Sequence, residues 1–435
     1  MSSDAARARL RVLGMQSGTS ADAIDIAVVD FHRDDVDEQM MHGRIVTTAE
    51  IPWDPELRAQ ILDALTGSHP AGHWCVLDAR AGDAFGEAAR GVIEALDDGV
   101  PVDLVASHGQ TLHHAVSDSG EVLGTWQIGA PSRIAARTDT PVLADLRSAD
   151  VALGGQGAPL VPLLDELVLG DVPTVALNIG GIANISIIGG PEAIGGDTGP
   201  GCALLDAAVV AATGGLQTAD VDGRLARAGR VHEDLLSALL EDPFYTLPFP
   251  RSTGREHFSP RYVDEVARRA LGPGGVAEVP TSDLVATLTE LTARTIAQGI
   301  DRALDSASAS LRPRRVVAAG GGMRNPALRD RLTALLAARD MRLVAPEAVG
   351  LPSDAKEAVL FALIGCLSAW GLPSTLARPD GTAITGASRP AVLGSLTPPD
   401  ATVSGRSRTS RRQRPTRLTL SAPGCSAESN ERTLR

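Results

Sequence analysis

The sequence predicts an α/β protein built from two related lobes. Three observations lead there. Strand patterns alternate with helical ones along most of the chain. A strand–glycine turn–strand unit occurs twice, in residues 11–31 and 174–188. A further apolar strand, Arg315–Ala319, runs directly into Gly320-Gly321-Gly322. The recurrence is one of pattern, not of tandem sequence.

Taken in order, residues 11–15 and 23–31 read as strands around the turn Gln16-Ser17-Gly18-Thr19-Ser20. Residues 55–97 hold two helical stretches, with Leu57, Ile61 and Leu65 at helical spacing. Residues 102–106 form a short buried strand that leads into Ser107-His108-Gly109-Gln110, and 125–128 and 141–144 are further short strands. The second cycle has strands at 174–177 and 182–188 around Asn178-Ile179-Gly180-Gly181. Helices follow at 203–212 and 231–240, a Pro- and Phe-rich loop at 242–259, and a long helix at 281–304. The strand 315–319, a helix at 326–338, a strand at 343–345 and a helix at 354–370 complete it. Beyond Gly394 the chain turns to Ser, Thr, Pro and Arg, a composition that buries too little apolar surface to fold. The expected plan is a disordered 1–9, a first lobe 10–140, a second lobe 141–372, a segment 373–396 returning to the first, and a disordered tail 397–435.

Hydrophobic residues make up 43% and charged residues 21% of the 435 positions, enough for a sizeable core. The net charge of −13 argues against a general nucleic-acid surface, though a pocket can be locally basic. Cys75, Cys202, Cys366 and Cys425 are far apart and form no CxxC pair, so neither a disulfide framework nor a structural zinc site is expected. No apolar run suits a signal peptide, and none reaches the roughly 18 residues of a membrane span. A cytoplasmic setting is the natural expectation. Lys356 is the only lysine, and no GxxxxGK[ST] motif occurs, which excludes a P-loop.

Several motifs are suited to phosphate and sugar chemistry. Ser17-Gly18-Thr19-Ser20-Ala21-Asp22-Ala23-Ile24-Asp25 offers backbone N–H groups and hydroxyls around a glycine turn, with Asp22 or Asp25 able to hold Mg²⁺ through water. A polar β-turn accounts for the same residues. Asn178–Asn184 with Gly196-Asp197-Thr198-Gly199-Pro200-Gly201 pairs two glycine turns, and the helix start that follows favours phosphate oxygens. Asp197 reads as a general base or as a structural turn residue. Gly320-Gly321-Gly322 lets a flat ring approach the backbone. His108 stands at a strand end, Arg147 offers a bidentate fork after Asp145, and Glu357 follows Lys356 at a helix start, where acidic residues also serve as caps. Jointly these fit the actin/hexokinase-like ATPase class, with a nucleotide cleft between two lobes.

The segments MQSGTSADAID, SHGQT, QIGAPSRIAARTDTPVLADLRSADVALGGQGAPLVP, NIGGIANIS, DTGPG, RSTGREHF, TLTELTA, GGGMRNPAL and DAKEA occur in unbroken order over about residues 11–394. Together they resemble the anhydro-N-acetylmuramic acid kinases; GGQGAPLVP and STGRE are specific to that family. The resemblance implies an enzyme using ATP, Mg²⁺ and water to open 1,6-anhydro-N-acetylmuramic acid, giving N-acetylmuramic acid 6-phosphate and ADP in cell-wall recycling. It implies that Gly18, Thr19, Ser20, Ala21, Asp22, Ala23, Ile24 and Asp25 bind the ATP phosphates and Mg²⁺, with Asp22 the metal residue. Gly180 and Gly199 then belong to the phosphate turns, and Gly320, Gly321 and Gly322 to the adenosine site. Asp197 matches the base, and His108, Asp145, Arg147 and Glu357 lie near the sugar. A cytoplasmic homodimer with no nucleic-acid or membrane partner is implied as well. Four positions depart from the family pattern: Gln16 for Met, Ala23 for Gly, Gly196 for a bulky residue and Cys202 for Asn. The competing readings are a kinase of another amino sugar or small acid on the same fold, and an inactive ATP-binding regulator.

Overall fold

A computed structural model describes residues 9–18, 21–34, 37, 39–65, 67–117, 121–170, 172–190, 194–249, 251–254, 257–305, 311–352, 355–399 and 415–421. The chain forms two compact units, residues 1–168 with 350–435, and 169–349.

Unit 1 opens with β1 (Arg9–Ser17), β2 (Ala23–Arg33) and β3 (Met40–Pro52), then α1 (Pro55–Ala64) and α2 (Ala71–Glu94). It continues with β4 (Leu104–Val116), β5 (Val122–Ile128), α3 (Pro131–Thr138), β6 (Val142–Ala144), α4 (Ser148–Val151) and α5 (Pro162–Leu169). Unit 2 follows with β7 (Thr174–Ile179), β8 (Ile182–Ile188), β9 (Ile194–Pro200), α6 (Ala203–Thr213), α7 (Arg224–Ala228), α8 (Glu233–Leu240) and α9 (Pro260–Leu271). Then come α10 (Thr281–Asp305), β10 (Arg315–Ala319), α11 (Pro326–Ala337) and β11 (Arg342–Val344). The chain returns to unit 1 through α12 (Lys356–Ala369), β12 (Ser395–Thr397) and β13 (Arg417–Ser421).

The two sheets share one plan. In unit 1 the order is β12-β6-β4-β1-β2-β3-β13, with β5 beside β4; in unit 2 it is β11-β10-β7-β8-β9. β1–β2 and β2–β3 are antiparallel while β1–β4 and β4–β6 are parallel. β7–β8 and β8–β9 are likewise antiparallel, and β7–β10 and β10–β11 parallel. Each unit therefore repeats a β-meander followed by two crossover strands, the α/β, two-lobed class that the recurring glycine hairpin predicted.

Each sheet buries its strands under helices. In unit 1, Leu13, Met15, Ile24, Ile26 and Val28 pack on Leu77, Ala81, Phe85 and Ala89 of α2. On the opposite face α12 comes within backbone contact of β1. A Cβ on Gly14 would lie 2.1 Å from Ala358 O, and one on Gly365 2.7 Å from Ala106 Cβ. In unit 2, Val175, Leu177, Ile185 and Val316 pack on Ile296 and Ile300 of α10 and Leu328 and Leu332 of α11. No helix among the described residues is long and apolar enough to cross a membrane.

Three expectations are corrected here. Residues 141–168 and α12 belong to the first unit, because β6 pairs with β4 and β12 and α12 lies on β1. The tail is not wholly unstructured: Arg417–Ser421 pairs in parallel with Met40–Arg44, and Leu418 and Leu420 are buried. His108 does not end a strand, since β4 continues past it to Val116.

α12 is buried almost all round, and the lone lysine at its start has one role in the fold. Lys356 Nζ lies 2.6 Å from Asp165 Oδ1 on α5, with both side chains buried. Lys356→Met strands a buried carboxylate, so it is expected to cost about 3–5 kcal/mol in urea unfolding, most of which Lys356→Met/Asp165→Leu returns.

Candidate active site

Asp197 lies in β9, not in a free turn. Its Oδ2 accepts hydrogen bonds from Thr253 N at 2.8 Å and Ser252 Oγ at 3.2 Å. Among the described residues no hydrogen bond is seen on Oδ1. The main chain is tied on both sides: Asp197 N donates to Arg251 O at 2.9 Å, and Arg251 Nε donates to Asp197 O at 2.9 Å. Burial pushes the Asp197 carboxyl above its ordinary range, against the opposing pull of Thr253 N–H, Ser252 and Arg251. The carboxylate is partly exposed, with Oδ2 held by two donors. That suits proton abstraction, because a base is most effective when its pKa approaches the working pH.

The glycine turns of unit 2 gather beside it. Gly201 N donates to Gly181 O, and Cys202 N to Gly180 O at 2.8 Å. Gly199 has φ +144°, and a Cβ there would strike Tyr245. Gly320 has φ +93° and comes so near the first turn that a Cβ would lie 2.6 Å from Asn178 Oδ1 and from Ile179 O. Gly322 abuts Ile179 and Cys202, whereas Gly321 faces open space. Gly320 and Gly322 are thus required by packing, and Gly321 alone leaves room for a ligand ring. Gly320→Ala is expected to destabilise by about 1–3 kcal/mol in thermal unfolding. Gly321→Ala should leave stability near wild type and raise the ATP Kd measured by titration calorimetry. The Cys202 thiol is pushed up to about 12 by burial, so it is no reactive thiolate.

In unit 1, Ala21 N donates to Gly18 O and closes the first turn, with Ala21 at φ +49°. Thr19 and Ser20 lie outside the described residues. Ser17 Oγ is turned inward and accepts from Trp53 Nε1 at 3.0 Å. Ala21, Ala23 and Ile24 are buried, so they can offer only backbone to a ligand. Arg58, 36 residues on, reaches Asp22 Oδ1 at 2.7 Å while Arg58 Nε bonds Ala21 O. Asp25 is half-buried at the start of β2, and its Oδ2 accepts from Gln16 Nε2 at 2.8 Å. A Met side chain at 16 could not make this hydrogen bond. Among the described residues no cluster of three or more acidic, His or Cys side chains suits a metal.

The sugar candidates of unit 1 are brought together in part. Arg147 Nε donates to His108 Nε2 at 2.8 Å and Nη1 to Gly157 O at 2.7 Å. Burial, with the Arg147 charge behind it, drives His108 well below its ordinary pKa, so the ring is neutral and its Nδ1–H faces Gly109 O at 3.2 Å. The ring stacks on Phe361 at 4.5 Å. Burial raises the Glu357 carboxyl, and the charges of Arg147 and Lys356 oppose it. Glu357 is nonetheless exposed to solvent. Asp150 is fully buried and accepts from Gly157 N at 2.8 Å and Thr385 Oγ1 at 2.6 Å, which fixes the loop that holds Arg147. Asp145 stands apart from this cluster: it is exposed at φ +56° and accepts from Ser148 N at the start of α4.

A family model described as anhydro-N-acetylmuramic acid kinase matches residues 10–399. The chain belongs to the anhydro-N-acetylmuramic acid kinase family. A relative of that name from Streptomyces coelicolor is 43% identical over 393 residues, 89% of this chain and 94% of its own. Those from Streptomyces avermitilis, at 44%, and Rhodococcus erythropolis, at 42%, cover the same shares.

Within an anhydro-N-acetylmuramic acid kinase the departure next to Asp197 has a steric account. A Cβ on Gly196 would lie 2.7 Å from Arg251 O and 2.9 Å from Phe249 Cδ1, so the glycine matches the close approach of the Arg251 backbone. Sequence reading missed Arg251, Ser252 and Thr253 as partners of Asp197, although RSTGREHF had marked the segment. The signal was there in the family motif; the role needed the tertiary contact.

Proposed function

We propose that this chain is an ATP-dependent kinase that hydrolytically opens 1,6-anhydro-N-acetylmuramic acid and phosphorylates its 6-oxygen, in peptidoglycan recycling. The observation that carries the reading is Asp197: a partly exposed carboxylate with Oδ2 held by two donors, in a chain of this family. Asp197 takes a proton from water as the water oxygen bonds to the anomeric carbon. The bond from that carbon to the bridging oxygen breaks, and the freed 6-oxygen attacks the γ-phosphorus of ATP. The bond to the β-phosphate oxygen breaks, ADP leaves, and Asp197 later releases its proton to solvent. A base acting through water is the arrangement of inverting glycosidases. The phosphoryl group captures the leaving oxygen, so no separate acid is needed.

The glycine turns offer N–H groups to phosphate oxygens, and Gly321 gives the adenine ring space. His108 and Arg147 present a neutral imidazole and a fork for the sugar's polar groups, with Glu357 alongside. Mg²⁺ commonly keeps most of its water and leans on one or two carboxylates, for which Asp22 and Asp25 are the candidates. When bound, the ion would neutralise charge on the transferring phosphoryl group. The reading extends to a cytoplasmic homodimer, which light scattering on the full chain checks. The deciding assay is ADP release with the anhydro sugar, with open hexosamines and without sugar. Release with the anhydro sugar alone is expected. Equal release with open hexosamines selects an ordinary sugar kinase, and ATP binding without sugar-dependent release selects a regulator.

A further inference from the structure

We propose that Arg251 is a positioning residue that sets the aim of Asp197, an inference that rests on the reading of Asp197 as the base. Arg251 is buried, and its Nε and Nη1 donate to main-chain carbonyls. Nε takes Asp197 O at 2.9 Å, while Nη1 takes Phe244 O at 3.1 Å, Tyr245 O at 2.9 Å and Leu247 O at 3.0 Å. The guanidinium lies between two rings, 4.7 Å from Phe244 and 4.6 Å from Phe249. One planar cation thus joins β9 to the segment 244–249. The same residue's carbonyl accepts Asp197 N, and the next two residues supply both donors to Oδ2. Whatever moves Arg251 therefore moves both the backbone of Asp197 and the groups that fix its carboxylate. Gly196 completes the device, since any side chain there would push the 251 backbone away. Lys at 251 cannot reproduce it, because an ammonium is a point donor without a fork.

Among the described residues Arg251 is the charged group acting on Asp197, with Arg302, Asp197 and Tyr245 acting in turn on Arg251. The test compares Arg251→Met, Arg251→Lys and Gly196→Ala with the wild type in steady-state kinetics over pH, with thermal unfolding as the control for folding. Arg251→Met should lower kcat about 10²-fold with the ATP KM unchanged, as expected for a small misplacement of the base. It should also move the acid limb of the pH profile upward, since a cation that holds the carboxyl down is gone. Arg251→Lys and Gly196→Ala should lower kcat with the limb in place, and their double variant should cost less than the two losses combined. If Arg251→Met does not fold, those two variants decide. Unchanged kcat, or a raised KM at constant kcat, overturns the positioning role. Asp197→Asn separates the two ideas. If it is inactive while the Arg251 and Gly196 variants are unimpaired, only the positioning role falls; if it turns over normally, the base reading falls first.

Discussion

Asp197→Asn is expected to lower kcat for ADP release with the anhydro sugar by about 10²–10⁴-fold, the usual worth of a general base, while the ATP KM stays near wild type. Asn keeps the shape, and its amide oxygen can still accept from Thr253 N, so a loss of rate reports the missing proton acceptor and not a collapsed loop. The pH dependence has a definite sign. The base works ionised, and burial holds its carboxyl above the ordinary value of 3.8, so kcat/KM should fall on the acid side at a pH above that value. Stability should move the other way. A carboxyl whose folded pKa is raised is penalised when ionised; the penalty grows as pH rises from the unfolded value through the folded one, and is complete above it. Asp197→Asn should therefore melt higher than wild type at neutral pH, and the advantage should vanish below the unfolded value. A variant that is slower and more stable is the pattern of a residue kept for chemistry. Near wild-type turnover would remove Asp197 from the mechanism.

What could be read from the sequence follows a physical line. The glycine turns, the buried strand Arg315–Ala319 and the long helix near Thr281–Asp305 were legible because local pattern determines them. β3 was missed, for its run MMHGRIVTTAEIP mixes Met, His, Gly and Glu, and its burial alternates only through Met41, Gly43 and Ile45. β9 was read as a turn because IGGDTGP is rich in Gly and ends in Pro, residues that rarely fill a strand. In the site, Asp197 and Arg147 were named by motif alone. The partners that decide their behaviour come from distant stretches: Arg251 from 54 residues away, and His108 from 39. Asp22 likewise has a partner that its turn does not announce, since Arg58 lies 36 residues on. The unit boundary moved for the same reason. α12 is apolar on every face, and only the glycines at 14 and 365 reveal which sheet it covers.

A further loss of stability is expected away from the site, at Arg11 of β1. Its guanidinium is 1% exposed and fully engaged. Nε and Nη2 take the two oxygens of Asp30 at 2.6 and 2.9 Å, Nη1 and Nη2 take those of Asp98 at 2.7 Å each, and Nη1 also reaches Val100 O at 3.0 Å. Arg11 thereby ties β2 and the segment after α2 to the first strand of the unit. Removing it leaves Asp30 with Arg44 at 2.6 Å, and Asp98 with the Val100 N–H at 3.0 Å. Arg11→Met is expected to cost about 1–3 kcal/mol, because the charged hydrogen bonds are lost while both carboxylates stay partly exposed. For a unit of this size that is a fall in Tm on the order of 5 °C. Arg11→Lys should recover only part, since one ammonium cannot serve two carboxylates as a fork does. Acid separates this network from a merely apolar contact. Burial alone would push Asp30 up, but the bonds and charge of Arg11, with Arg44, outweigh it; Asp98 is held down by Arg11 and then by the Val100 N–H. Carboxyls with depressed folded values lend stability that is complete above the unfolded value and is lost as pH falls through the folded one. The gap between wild type and Arg11→Met should therefore be widest at neutral pH and close as pH drops below 3.8. A gap that stays constant across that range would mean that Arg11 stabilises by packing its stem, not by its charge.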